Sequence, residues 1–187
     1  DGKDMSFAFN LLRSNDMIWP FYVNNYLLGK DAFPFDLLYW NSDSVRMPKE
    51  LNLFCLKNMY KDNLLKVPGG IELKKERIAI NKIDTPCFAI AAKADHIVPW
   101  QCAFNSAKLF SGPTIFTLTD SGHVAGMINH PDKNKYCFWA NNNLISEYED
   151  SDSWYKESQE HQGSWWSYWN EWLKKYSEEL VKSKKLE

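Results

Sequence analysis

The feature that most constrains this chain is the apolar run Cys87-Phe88-Ala89-Ile90-Ala91-Ala92, which ends just short of an acid, Asp95. A run apolar at every position, rather than at alternate ones, predicts a fully buried strand of a parallel sheet, covered on both faces. Asp84-Thr85-Pro86 launches it. Pro99 and Trp100 then open a helix expected to reach about Phe110, with Ala103, Ala107 and Phe110 inward, and Ser111-Gly112-Pro113 ends it. A second apolar run, residues 114–118, predicts the next strand, and Asp120-Ser121-Gly122-His123 is its exit loop. An acid past one strand and a His past the next can meet at one edge of a sheet, where ligands and catalytic groups gather. Gly122 is expected to serve a sharp turn where backbone passes close.

A carboxylate beside an imidazole fixes its tautomer and stabilises the cation formed when the ring takes a nucleophile's proton. In an α/β-hydrolase fold the chain order is nucleophile, acid, His. Here the acid, Asp95, and the His, His123, are present and the nucleophile is not. Each residue alone also has a plain structural use: Asp95 as N-cap of the following helix, His123 as a loop His bonded to backbone. The only two Gly residues four apart are Gly122 and Gly126, with Val124 between them, so no G-x-S-x-G or G-x-C-x-G elbow exists. Cys87 and Cys102 are near Asp95 in sequence, but a buried strand and a helix are poor places for a reactive thiolate. His96, His123, His130 and His161 show no H-E-x-x-H spacing and the cysteines no C-x-x-C, so no metal site is expected. No phosphate-cradling Gly loop appears, and no cofactor is expected.

At 187 residues, 16% aromatic and 25% charged, the composition is that of a globular chain with a sizeable core. A net charge of -2 gives no electrostatic reason to expect nucleic acid. Four cysteines without pairing spacing read as reduced structural thiols, which points to the cytoplasm. No apolar run approaches the ~20 residues of a membrane span. Asp1-Gly2-Lys3-Asp4 reads like the middle of a loop, so a longer protein is expected, with an upstream half carrying the earlier strands.

Residues 4–29 are expected to be helical in two pieces, with Phe7, Leu11 and Leu12 on one side, then Ile18, Tyr22 and Tyr26. Ser14-Asn15-Asp16 would cap between them, Pro20 would sit in a first turn, and Gly29 would stop the second piece. Residues 30–48 form a loop loaded with Phe33, Phe35, Leu37, Leu38, Tyr39 and Trp40, either a cover over a pocket or a buried connector. Residues 48–65 predict a helix with Leu51, Phe54, Cys55, Met59 and Leu65 on its apolar side. Pro68-Gly69-Gly70 is a turn, and residues 71–83 a short hairpin, Ile71-Glu72-Leu73 against Ile78-Ala79-Ile80. Residues 129–143 read as a polar loop, and 147–152 as a solvated acidic turn. From Gly163 on, Trp165, Trp169, Trp172, Tyr176 and Leu180 recur at helical spacing, with Trp166 and Leu173 widening the stripe. Such a stripe serves core packing or, alternatively, a partner or membrane surface. The organisation expected is one domain, with a helical front section (1–66) and a strand-helix-strand-helix body (67–187).

Asp95-His96-Ile97-Val98-Pro99-Trp100, followed by Ser121-Gly122-His123-Val124-Ala125-Gly126-Met127-Ile128-Asn129, resembles the C-terminal half of polyhydroxyalkanoate synthases. Asn15-Asp16-Met17-Ile18-Trp19, Pro34-Phe35-Asp36-Leu37-Leu38-Tyr39-Trp40-Asn41-Ser42-Asp43 and His161-Gln162-Gly163-Ser164-Trp165-Trp166 are similar to further blocks of that family, in the same order. The resemblance implies an α/β fold, the C-terminal portion of an α/β-hydrolase fold with part of a cap segment. It implies an acyltransferase that polymerises hydroxyacyl-CoA into storage polyester on cytoplasmic granules, and a homodimer. Asp95 takes the family's catalytic Asp position and His123 its catalytic His position. The His would activate a Cys thiol upstream of this chain; the Asp would orient that His or help activate the incoming hydroxyl. His96 and Trp40 match further positions near the active site, and residues 1–66 become the end of the cap. Without the Cys and the oxyanion-hole residues this stretch alone is expected to be inactive, with an exposed sheet edge. Two other readings stand beside this one: an esterase or polyester hydrolase of the same fold, and a non-catalytic granule-associated or partner-binding module.

Overall fold

The computed structural model describes residues 4, 7–8, 11–12, 14–31, 46–133, 135–178 and 181–182. The chain divides into two compact units, residues 1–55 and 56–187. Trp40 and the aromatic stretch around it lie outside the described residues, as do Leu180 and the lysines at 184 and 185.

In the first unit, α1 (Ser14–Met17) and α2 (Trp19–Phe21) are separated at Ile18, and α2 runs on as a wider-wound stretch over Tyr22–Leu27. The expected cap at Ser14-Asn15-Asp16 is therefore inside a helix, and the break falls at Ile18, whose φ of -120° leaves the helical region. Pro20 sits in the first turn of α2, where its missing N–H costs nothing, and Gly29 ends the run at φ +60°. Trp19 meets Tyr22 edge-on, and Tyr22 stacks on Tyr26 with ring centroids 5.3 Å apart. Pro48 leads into α3 (Lys49–Phe54).

The second unit carries a small hairpin and a four-stranded sheet. The helix expected over 48–65 continues as a widened stretch, Cys55–Lys61, then a short 3₁₀ turn, Leu64–Lys66. Its apolar side is not buried: Met59 and Leu65 remain over a third exposed. The hairpin pairs β1 (Ile71–Leu73) with β2 (Glu76–Ile78), Ile71 opposite Ile78. The second strand thus holds the charged Glu76 and Arg77, and Ile80 already belongs to the next turn. Lys74 and Lys75, both at positive φ, make the reversal.

The main sheet has the order β3-β4-β5-β6, formed by Cys87–Ala92, Thr114–Thr119, Cys137–Ala140 and Gln159–Gln162. β3 and β4 are parallel, with Ala92 beside Thr119; β4, β5 and β6 are antiparallel. The architecture is mixed α/β. Among the described residues β3 pairs on one side only, and its expected full burial holds only for Ala91 and Ala92. The strand covered on both sides is β4, buried at Thr114 and from Phe116 to Thr119. Residues 129–143 are not simply a polar loop, since Cys137–Ala140 is an internal strand.

Pairing puts Ala89, Ala91, Phe116, Leu118 and Trp139 on one face of the sheet, where they meet α4 (Trp100–Ala107) and α5 (Ser151–Glu157). Phe104 and Trp154 are fully buried there against Phe116, with ring centroids 5.3 and 4.9 Å from it. Each contributes on the order of 2–3 kcal/mol by burial. α4 ends at Ala107, short of the expected Phe110, and its deepest residue is Phe104. The acidic stretch read as a solvated turn instead starts α5: Asp150 Oδ1 accepts from Ser153 N, and Ser153 Oγ accepts in turn from Asp150 N.

On the other face, Trp165, just before α6 (Trp166–Lys174), and Tyr168 and Trp172 of α6 pack around Phe88, with Tyr168 also against Phe138. The aromatic stripe is therefore divided. These three rings pack on the sheet, whereas Trp169 and Tyr176 are exposed.

Candidate active site

The ladder between β3 and β4 does not stop where the strands do. Lys93 N donates to Thr119 O (2.8 Å) and Ala94 N to Ser121 O (2.9 Å), so the two exit loops leave the sheet side by side. Asp95 follows at once, its own N–H bonded back to Ala92 O at 3.1 Å. On the exit loop of β4, Ser121 adopts φ +73°, a left-handed turn that redirects the backbone. The result brings Asp95 and His123 together, with Asp95 Oδ2 and His123 Nδ1 2.7 Å apart.

The carboxylate is fully engaged. Oδ1 accepts the backbone N–H groups of Ile97 (2.8 Å) and Val98 (3.0 Å), while Oδ2 faces the imidazole. Asp95 is therefore not the N-cap of α4, a position held by Pro99 with no side-chain bond. Its side chain is only 5% exposed, whereas that of His123 is 47% exposed. Burial pushes the Asp95 carboxyl up; the bond to His123, the two backbone donors and the imidazole's charge outweigh it and hold the group below the ordinary 3.8. An ionised carboxylate on Nδ1 makes that nitrogen the protonated one, which leaves Nε2 as the basic atom. This is a histidine set up to take a proton from a neighbouring group.

The loop bearing His123 is fixed by a close approach, though not where the sequence places it. A Cβ on Gly122 would meet only Ala94 O at 3.7 Å, an ordinary contact. One on Gly126 would lie 2.2 Å from Asp120 O and 2.9 Å from Thr119 Cγ2. Gly126 O also accepts from Thr119 Oγ1 at 3.1 Å.

His96 is exposed beside Asp95, and Trp40 is outside the described residues. His130 and His161 lie elsewhere, the first against Trp166 and the second stacked on Phe138. Cys87 opens β3, at the end of the strand away from Asp95, with its thiol on Thr85 O. Cys102 is exposed on α4. Burial, with Glu160 and Asp120 nearby, pushes the Cys137 thiol up, against any role as a thiolate. Among the described residues no three His, Cys, Asp or Glu side chains converge on a metal-sized site, and no helix is long and apolar enough to cross a membrane. A cavity of about 200 Å³, lined by Ile115, Tyr168 and Trp172 among others, opens toward the start of β4, away from the pair.

Fold and site together define a mixed α/β protein that holds an aspartate-oriented histidine at the ends of two parallel strands. No family model matches the chain. It is, however, 40% identical over 185 residues to the poly(3-hydroxyalkanoate) polymerase subunit PhaC of Rhizobium etli, covering 99% of this chain and 28% of that protein. It is 40% identical over 172 residues to PhaC of Cupriavidus necator, and 41% over 182 residues to the poly(3-hydroxyalkanoate) polymerase of Methylorubrum extorquens, 29% of the length of each. The chain is thus related, along nearly all of its own length, to the poly(3-hydroxyalkanoate) polymerases that its sequence blocks resemble. It spans less than a third of the length of these curated relatives.

Proposed function

We propose that this chain is the Asp- and His-bearing stretch of an acyltransferase that polymerises 3-hydroxyacyl-CoA into polyhydroxyalkanoate. The observation that carries the reading is the 2.7 Å contact between Asp95 and His123, in a sequence 40% identical to proteins named polymerases. The fold would be the C-terminal portion of an α/β-hydrolase, with residues 1–66 as cap and 67–187 as core. The nucleophile, a Cys, would lie in a part of the protein outside this chain.

In this scheme His123 Nε2 takes the thiol proton, the thiolate attacks the thioester carbonyl, and the carbon–sulfur bond to CoA breaks as the imidazolium returns the proton to the leaving thiolate. The next 3-hydroxyl then loses its proton to the same imidazole and attacks the enzyme thioester. An ester bond forms, and the Cys leaves as thiol with that proton. With one oxygen on Nδ1 and the other held by two backbone N–H groups, Asp95 is better suited to orienting His123 than to reaching a substrate hydroxyl. By the family resemblance alone, His96 and Trp40 match further positions near the active site. The working location would be the cytoplasmic granule surface, with a homodimer as the assembly.

The test is CoA release from 3-hydroxybutyryl-CoA by the full-length protein carrying this stretch, with the product identified. CoA release with insoluble polyester supports the reading. Free 3-hydroxybutyrate without polymer would move the protein to the hydrolases, and no turnover of acyl-CoA or ester would leave a non-catalytic module.

A further inference from the structure

We propose that Trp165 and Trp166 are positioning residues for His123, whose loop they hold through their two indole N–H groups. The inference rests on the reading of His123 as the base. Trp165 Nε1 donates to Gly126 O at 3.2 Å and Trp166 Nε1 to Met127 O at 3.0 Å. Two neighbouring side chains thus bond two neighbouring carbonyls, with their rings 79° apart so that both N–H groups can reach. Gly126 and Met127 are in turn tied to the residues flanking the histidine: Gly126 N donates to Gly122 O (3.3 Å) and Met127 N to Val124 O (3.1 Å). The path from indole to His123 is a few backbone bonds long.

The clamp is itself anchored. Trp165 stacks on Phe88 of β3, the strand that delivers Asp95, with centroids 6.1 Å apart. Gly163 takes φ +92° and donates to Tyr136 O at 2.9 Å, and Trp166 N donates to Ser164 Oγ at 3.1 Å, which fixes the entry into α6. Asn129, at the far end of the His loop, is buried and donates to Gly163 O at 3.4 Å. One aromatic corner therefore touches both the acid's strand and the histidine's loop. A ring that merely filled space would do so equally well as Phe. What Trp adds is the N–H, and both N–H groups are spent on the loop.

The experiment measures steady-state CoA release from 3-hydroxybutyryl-CoA by the full-length protein with Trp165→Phe, Trp166→Phe, the double substitution, and the exposed Trp169→Phe as control. Each is also made in a His123→Gln background. Misplacing a catalytic group by a fraction of an ångström lowers turnover steeply, so each single substitution is expected to lower kcat about tenfold and the pair about 100-fold, with KM within about twofold. In the His123→Gln background the Trp substitutions are expected to change the residual rate by less than about twofold, because groups that act through one another are not additive. A double variant within about twofold of wild-type kcat, while His123→Gln abolishes turnover, overturns the clamp and leaves the reading of His123 intact. Equal losses with and without His123 mean damage to the fold and overturn it too. Full activity of His123→Gln removes the proposed function and the clamp with it.

Discussion

Replacing Gly126 by Ala tests the geometry of the histidine loop without touching either member of the pair. The new Cβ would lie 2.2 Å from Asp120 O and 2.9 Å from Thr119 Cγ2, the first a backbone atom at the end of β4 that cannot swing aside. The loop has to yield. Gly126 O accepts hydrogen bonds from Thr119 Oγ1 at 3.1 Å and Trp165 Nε1 at 3.2 Å, and moving it loosens both. Two hydrogen bonds at about 1 kcal/mol each, plus about 1–3 kcal/mol of overpacking, give a destabilisation of about 3–5 kcal/mol. Gly122→Ala, four residues earlier in the same loop, is the control, since the new atom there meets only Ala94 O at 3.7 Å; its cost is expected to stay within about 0.5 kcal/mol. Urea unfolding followed by tryptophan fluorescence reads both, since the indoles of Trp165 and Trp166 donate to this loop. Gly126→Ala within about 0.5 kcal/mol of wild type, or Gly122→Ala the more damaging of the two, would show that Gly126 is not the close approach in this loop.

Asp95→Asn is expected to cost on the order of 10⁴ in turnover, because a neutral amide facing Nδ1 favours the wrong tautomer, and a loss under tenfold in the CoA-release assay would contradict that. The Asp95 carboxyl is held below its ordinary 3.8, so its contribution to stability is fully present above that value and is lost as pH falls through the lower folded value. Urea midpoints of wild type measured against pH should therefore drop more steeply below 3.8 than those of Asp95→Asn, and parallel curves would count against the assignment. β3 pairs on one side only among the described residues, so the 187-residue chain expressed by itself is expected to self-associate. Light scattering that shows a stable, monodisperse monomer would contradict this.

What could be read from the sequence was whatever depends on neighbours along the chain. The apolar runs of β3 and β4, the helix after Pro99, the turn at Gly69-Gly70 and the stop at Gly29 follow from local pattern, and they are enough to bring Asp95 and His123 to one sheet edge. What depends on partners far away was not legible. Gln159-Glu160-His161-Gln162 has no strand-like side chain and is a strand only because β5 pairs with it. Cys137–Ala140 is short and hidden between lysines and three asparagines. Trp154 is fully buried, yet it follows an acidic run that reads as solvent-facing. The same holds within the site. Two glycines in one loop look alike, and only the fold shows that Gly126, not Gly122, is pressed against backbone. The Trp165-Trp166 pair reads as an aromatic stripe until both indole N–H groups are seen to end on the histidine's loop.

His123, oriented by Asp95, is proposed here as the base of a Cys-dependent acyl transfer. CoA release from 3-hydroxybutyryl-CoA by the full-length protein, compared with its His123→Gln variant at matched folding by circular dichroism, tests it most directly. The expected result is a loss of about 10³-fold in kcat together with loss of polymer, the scale of a positioned general base. Turnover within about tenfold of wild type in His123→Gln would contradict it.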